Sequence, residues 1–182
     1  EAVDKLMQDR VFYEESGGGI TISGGDPLSQ YGFSREVLKR CKEQGLHTAI
    51  ETCMYARNEI FQSFFELVDL FIVDIKIMDP VEHKKYVGTD NDLMLSNFKT
   101  LASTNQNILV RIPLIPEITS KEENIRAISQ FVRENAPDTT IELINFNPLA
   151  EHKYRLMGKD HIHLSEMKPY TQKELDKFYS II

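Results

Sequence analysis

Five short runs of β-branched and apolar residues recur along the chain, at 20–23, 47–51, 70–76, 108–113 and 141–146, and each reads as a strand. Their starts lie 27, 23, 38 and 33 residues apart, room for a strand, a crossover helix and two loops. The order is therefore β then α throughout, and a parallel sheet is expected. The segments between the runs carry apolar stripes at helical spacing. Phe33, Val37, Leu38 and Cys41 form one, with Gly45 placed as a left-handed cap; Ile60, Phe61, Phe64, Leu67 and Val68 form the next. Met94, Phe98 and Leu101 follow Asp90 and Asn91 as candidate caps. Ser120 with Glu123, and Thr171 with Glu174, have capping-box spacing before their stripes. Val3, Leu6 and Met7 predict an opening helix with no strand before it.

Strand parity sorts the polar residues. Ala49 and Glu51 share one side of the second strand, Ile72, Asp74 and Lys76 one side of the third, and Leu109 and Arg111 one side of the fourth. The other sides, with Ile50, Val73, Ile75, Ile108, Val110 and Ile112, are apolar and belong under the helices. Glu51, Asp74, Lys76 and Arg111 then converge near the carboxyl ends of adjacent strands, where parallel α/β folds bind ligands. Two charges of each sign in one place need partners or a ligand. A mutual ion-pair network is the plain alternative. Parity leaves the fifth strand undecided.

Length and composition narrow the function classes. The 182 residues fit one domain spanning 1–182, and 41% hydrophobic with 27% charged residues describes an ordinary globular chain. A net charge of -7 with scattered basic residues gives no footprint for nucleic acid. The apolar runs fall short of a membrane span, and a cytoplasmic protein is expected. Cys41 and Cys53 are the two cysteines, too few for a disulfide framework and without zinc spacing. Cys41 reads as core and Cys53 as a small packing residue; His83, His152, His161 and His163 read as solvated, and no metal site is assigned. Gly24 and Gly25, following the first strand, would let backbone groups approach a ligand closely, although Gly-Gly and Asp-Pro are also ordinary turn formers.

Taken together, SGGGITISGGDPL (16–28), HTAIETC (47–53), VDIKIMDP (73–80) with His83 and Gly88, and VRIPLIP (110–116) closely resemble the activating enzymes of glycyl-radical enzymes. The resemblance covers nearly the whole chain in order and spacing. It implies a radical S-adenosylmethionine enzyme on a partial TIM-like (β/α)6 barrel, with five parallel strands here and the first barrel strand absent from this chain. It also implies an oxidoreductase of the [formate-C-acetyltransferase]-activating type. Such an enzyme reductively cleaves S-adenosylmethionine with a [4Fe-4S] cluster fed by a flavodoxin- or ferredoxin-type reductant, and abstracts hydrogen from a backbone glycine of a partner such as pyruvate formate-lyase.

Carried over residue by residue, the resemblance gives Gly24, Gly25, Asp26 and Pro27 to the methionine amino group and Glu51, beside Thr52, to the ribose. Asp74 and Lys76 become the catalytic DxK pair, with Lys76 on the methionine carboxylate, and Arg111 takes a positional or peptide-facing role. Asp26 departs from the family's Glu, and Asn147 in NFNP (145–148) stands where many members have His. A CxxxCxxC cluster loop is not in the sequence. The expected reading is a piece of an activase that alone binds no cluster and activates nothing. Two alternatives stand beside it: a non-catalytic short homologue that grips a glycyl-radical partner, and a Schiff-base barrel enzyme with Lys76 as nucleophile.

Overall fold

A computed structural model describes residues 2–148 and 167–182 of the chain. The five predicted strands are present as β1 (Gly19–Ile22), β2 (His47–Thr52), β3 (Leu70–Asp74), β4 (Asn107–Pro113) and β5 (Thr140–Ile144). All four pairings are parallel, and the order is β1-β2-β3-β4-β5. A doubly wound sheet would reverse its order partway. Consecutive order, with every crossover returning to the next strand, is the winding of a β/α barrel, and these five strands form an arc of one.

Among the described residues the α-helices are α1 (Ala2–Leu6), α2 (Arg10–Ser16), α3 (Tyr31–Glu43), α4 (Asn58–Gln62), α5 (Pro80–Val87), α6 (Asp92–Ala102), α7 (Glu122–Asn135) and α8 (Gln172–Tyr179). Among the described residues none is long and apolar enough to cross a membrane. The apolar strand faces pack under these helices, as parity requires: Ile50, Phe71, Val73, Val110 and Ile112 are fully buried with Leu38, Phe61, Phe98 and Ile128. Phe61, Phe65 and Phe71 meet edge to face at 5.3–5.8 Å, a geometry that adds to their area burial.

Several local expectations differ from the structure. Phe33 is 60% exposed, because the buried stripe of α3 is centred on Ser34, Val37, Leu38 and Cys41 and position 33 lies off its flank. Helix α4 stops at Gln62; Phe64 and Val68 bury themselves from a turn instead. Asn91 sits at the N-cap of α6, yet its amide donates to Ile77 O and Met78 O. The N-cap of α7 is Lys121, since the Ser120 hydroxyl is taken by Ile115 O and the Tyr170 hydroxyl. In both cases a partner from another element outcompetes the local backbone. The Thr171–Glu174 box forms, with Glu174 accepting from the Thr171 amide at 2.8 Å. Gly45 is left-handed, at φ 75°.

Candidate functional site

The loops after β1, β2 and β3 meet at the carboxyl end of the sheet. They enclose a hollow of about 260 Å³ lined by Ser23, Gly24, Gly25, Asp26, Glu51, Thr52, Cys53, Asp74 and Lys76. Glu51, Asp74 and Lys76, which parity put on one side, therefore share one space. A second hollow of about 220 Å³ adjoins it through Cys53, Asp74 and Lys76 and is walled by Tyr55, His83, Val87, Thr89 and Met94.

Each loop is held by named contacts. Gly24 has φ 121°, a conformation L side chains rarely adopt, and a Cβ at Gly24 or Gly25 would meet no atom within 4 Å, so bare backbone borders open space. Asp26 fastens this loop to the end of β2. Its carboxylate accepts from the Leu28 amide at 2.9 Å, the Thr52 hydroxyl at 2.9 Å, and the Cys53 amide and thiol, each at 2.9 Å. The loop after β2 passes through Met54 at φ 60°, strained for a non-glycine residue and held by the Asn97 amide donating to Met54 O and Ala56 O. Lys76 lies just beyond the end of β3, and the loop that carries it is pinned by Asn124, whose amide donates to Lys76 O at 2.8 Å while its oxygen accepts from Met78 N.

The charged residues form a chain along the inner face. Lys76 Nζ lies 3.0 Å from Asp74 Oδ2. Ser23 donates to Glu51 Oε2 at 3.0 Å, and Arg111 Nη1 stands 3.5 Å from Glu51 Oε1. Arg111 Nε donates to Glu142 Oε2 at 2.7 Å. Burial works against the Arg111 charge, but the Glu142 hydrogen bond and the charges of Glu142, Glu51 and Asp74 outweigh it and hold the guanidinium above its ordinary value. The side chains of Glu51, Asp74, Lys76 and Arg111 are 26–34% exposed, so their interactions are only partly screened.

Sequence reasoning brought Gly24, Gly25, Asp26, Glu51, Thr52, Asp74 and Lys76 to one hollow. It also placed three residues there that do not line it. Pro27 is buried in the turn that follows; Arg111 reaches the hollow through Glu51; Asn147 is exposed beyond β5. Asp26 differs from expectation in that its own loop and β2 already supply its donors. His83 is not solvated: it is 2% exposed, with Nδ1 2.8 Å from Thr89 O, because α5 folds back over the end of β3. Cys53 is more than a packing residue, since its thiol donates to Asp26. Burial first, then the Asp26 hydrogen bond and charge, push that thiol up to about 11.

His152, His161 and His163 lie outside the described residues. Ser23 and Glu142 were missed. Glu142 is the charged residue within β5 and is the register partner of Arg111, a signal available only once the pairing is known.

A family model described as the radical SAM superfamily matches residues 1–128. The chain belongs to this superfamily. Among curated relatives it is 36% identical over 176 residues to the trans-4-hydroxy-L-proline dehydratase activating enzyme of Clostridioides difficile, covering 95% of this chain and 58% of that one. It is 40% identical over 148 residues to the 4-hydroxyphenylacetate decarboxylase activating enzyme of Clostridioides difficile strain 630, covering 80% and 46%. The chain thus spans about half the length of these relatives. A crystal structure of a domain of pyruvate-formate lyase-activating enzyme from Bacteroides vulgatus superimposes with a TM-score of 0.72 at 27% identity, covering 90% of this chain and 92% of that one.

Proposed function

We propose that the hollow binds S-adenosylmethionine and that the whole protein is a radical S-adenosylmethionine activating enzyme, which generates a glycyl radical on a partner such as pyruvate formate-lyase or a related dehydratase or decarboxylase. Residues 1–182 act as one partial barrel domain in this reading. The observation that carries it is the convergence of Gly24–Gly25, Glu51–Thr52 and Asp74–Lys76, from three successive strands, on one space. The donor set suits the ligand. Bare backbone at Gly24 and Gly25 can accept from an ammonium, the Glu51 carboxylate can accept from two ribose hydroxyls, and the Lys76 ammonium can meet a carboxylate. Asp74 sets the direction of Lys76 through their 3.0 Å contact. Asp26 and Pro27 shape the glycine loop, Arg111 backs Glu51, and Asn147, exposed beyond β5, is given to the cofactor by the family resemblance alone. Taken alone the hollow is just under the ~300 to 1,000 Å³ usual for a small-molecule site, and the adjoining one extends it.

When bound and reduced, the sulfonium cofactor supplies the hydrogen-abstracting chemistry. The electron would come from a [4Fe-4S] cluster served by a flavodoxin- or ferredoxin-type reductant. The sequence has two cysteines, fewer than the three thiolates of a cluster with one open iron, and among the described residues no group of His, Cys, Asp and Glu could hold a metal. No step is therefore assigned to a cluster held by this chain. The Schiff-base alternative, with Lys76 as nucleophile and Asp74 or Glu51 as proton carrier, is less well supported, since such an amine is activated by desolvation or a neighbouring cation and Lys76 is 30% exposed with a carboxylate at 3.0 Å.

Titration calorimetry with S-adenosylmethionine tests the site: saturable one-to-one binding is expected, and no binding overturns it. Anaerobic mixing of the complete protein with a glycyl-radical enzyme, read by electron paramagnetic resonance, tests the activity. A protein that binds its partner and yields no glycyl radical would be the non-catalytic homologue.

A further inference from the structure

We infer that Glu142, which does not line the hollow, is a positioning residue: it holds the Arg111 guanidinium away from Glu51 and so leaves the Glu51 carboxylate available to a ligand. The inference rests on the proposed cofactor site. Arg111 and Glu142 are direct register partners across β4 and β5, so their side chains leave the sheet side by side on the same face. The Arg111 Nε–Glu142 Oε2 contact at 2.7 Å is a charge-assisted hydrogen bond, whereas the Arg111 Nη1–Glu51 Oε1 separation of 3.5 Å is an ion pair too long to be a good one.

Arg111 therefore divides its charge unequally between two carboxylates. Glu51 Oε2 already accepts from Ser23, which leaves Oε1 as the oxygen with the more open coordination. Without Glu142, Arg111 would need to move less than about 1 Å to close a short hydrogen bond onto Oε1, because charge-assisted contacts of this kind settle near 2.8 Å. Each oxygen of Glu51 would then carry a protein donor, and an incoming hydroxyl would compete with a charged one for the lone pairs that remain. Removing an acid that touches no ligand thus weakens the binding of a ligand, and it does so only while Arg111 is present.

That condition distinguishes positioning from mere support of the sheet edge, and a double-mutant cycle measures it. S-adenosylmethionine is titrated calorimetrically into the protein and into Glu142→Ala, Arg111→Gln and the double variant, each checked for a cooperative thermal transition. Glu142→Ala is expected to weaken binding about tenfold, inside the coupling range of side chains that share one network. In the Arg111→Gln background the same change is expected to cost less than about twofold. Glu142→Gln, which keeps an acceptor and loses the charge, should fall between the unsubstituted protein and Glu142→Ala. An equal loss in both backgrounds, or no loss in either, overturns the inference while leaving the site intact. Absence of binding by the unsubstituted protein overturns the site and this inference with it.

Discussion

The two ends of the same strands solve the problem of half-buried charge differently. At the amino end, Asp69 stands just before β3 and takes every donor it needs from its neighbours. Lys42 Nζ, at the end of α3, lies 2.6 Å from Oδ1, and the Thr48 amide and hydroxyl each donate to Oδ2 at 2.9 Å. One carboxylate meets one ammonium, and the cluster is closed. At the carboxyl end, Asp26, Glu51 and Asp74 line a hollow with the one cation Lys76, while Arg111 and Glu142 stand behind Glu51. Charge balance and closure mark a structural network; an acidic surplus around open space marks a place for a ligand that brings positive charge and hydroxyl donors. The amino group and sulfonium of S-adenosylmethionine satisfy that condition.

Asp26 tests the comparison most severely, because at the carboxyl end it alone resembles Asp69 in being saturated by its own chain. Asp26→Ala would strand the hydroxyl of Thr52, which is 3% exposed, and the Cys53 amide. A loss of about 3 kcal/mol in unfolding free energy is expected, with ligand affinity falling alongside it as the glycine loop comes loose. Chemical denaturation checks the first effect and calorimetry the second. A variant with native stability would show that the loop is held by something else.

Glu51 and Lys76 should behave in the opposite way. Glu51→Ala and Lys76→Ala are each expected to weaken S-adenosylmethionine binding by about 1 to 3 kcal/mol, the usual worth of a charge-assisted contact. The unfolding midpoint of Glu51→Ala should stay nearly unchanged, since surplus carboxylates repel one another in the empty site, and that of Lys76→Ala should fall only slightly, since its pair with Asp74 is partly exposed. Unaltered affinity in both variants would remove the functional half of the comparison.

What the sequence made legible follows from the same contrast. Alternation in β2, β3 and β4 is a local property, so Glu51, Asp74, Lys76 and Arg111 could be placed on one face before any pairing was known. Glu142 could not, because in β5 the alternation does not separate core from site: Ile141 and Leu143 flank it, yet Thr140 and Ile144 on its own side include an apolar residue. His83 and Asn91 were misread for a related reason. A polar residue in or just before a helix looks solvated or capping until a carbonyl outside that helix claims it, and both are claimed, His83 by Thr89 O and Asn91 by Ile77 O. Hydrogen bonds made outside an element leave no periodic trace in it.

Asp69 supplies the structural control. Asp69→Asn keeps the shape but loses the charge that Lys42 meets, and a destabilisation of about 1 to 2 kcal/mol is expected once the partial exposure of both groups is discounted. Ligand affinity should not move. The pH dependence has a definite sign. Burial raises the Asp69 carboxyl, but the Lys42 hydrogen bond and the Thr48 donors outweigh it, leaving it below its ordinary value of 3.8. Its stabilising contribution is therefore complete above that value and is lost as pH falls through the lowered one. Acid denaturation of Asp69→Asn should be shallower over that interval; an identical acid limb in both proteins would refute the pairing.

The smallest expected effect concerns Cys53, where the hollow's wall meets the core. With its thiol raised to about 11, only about one molecule in a thousand carries the thiolate at pH 8, against about a quarter for an unperturbed cysteine. Alkylation by iodoacetamide should then run a few hundredfold slower than for a free thiol. Cys41, fully buried and with its thiol also raised by burial, should be protected as well. Asp26→Asn removes the negative charge against the sulfur, keeps an acceptor near the Leu28, Thr52 and Cys53 donors, and should speed alkylation of Cys53 about tenfold while leaving Cys41 unreactive. Mass spectrometry of the modified peptides separates the two sites. Prompt alkylation of Cys53 in the unsubstituted protein would mean that its sulfur does not rest on Asp26, and the tie between the glycine loop and β2 would have to be drawn through the Thr52 hydroxyl and the Cys53 amide.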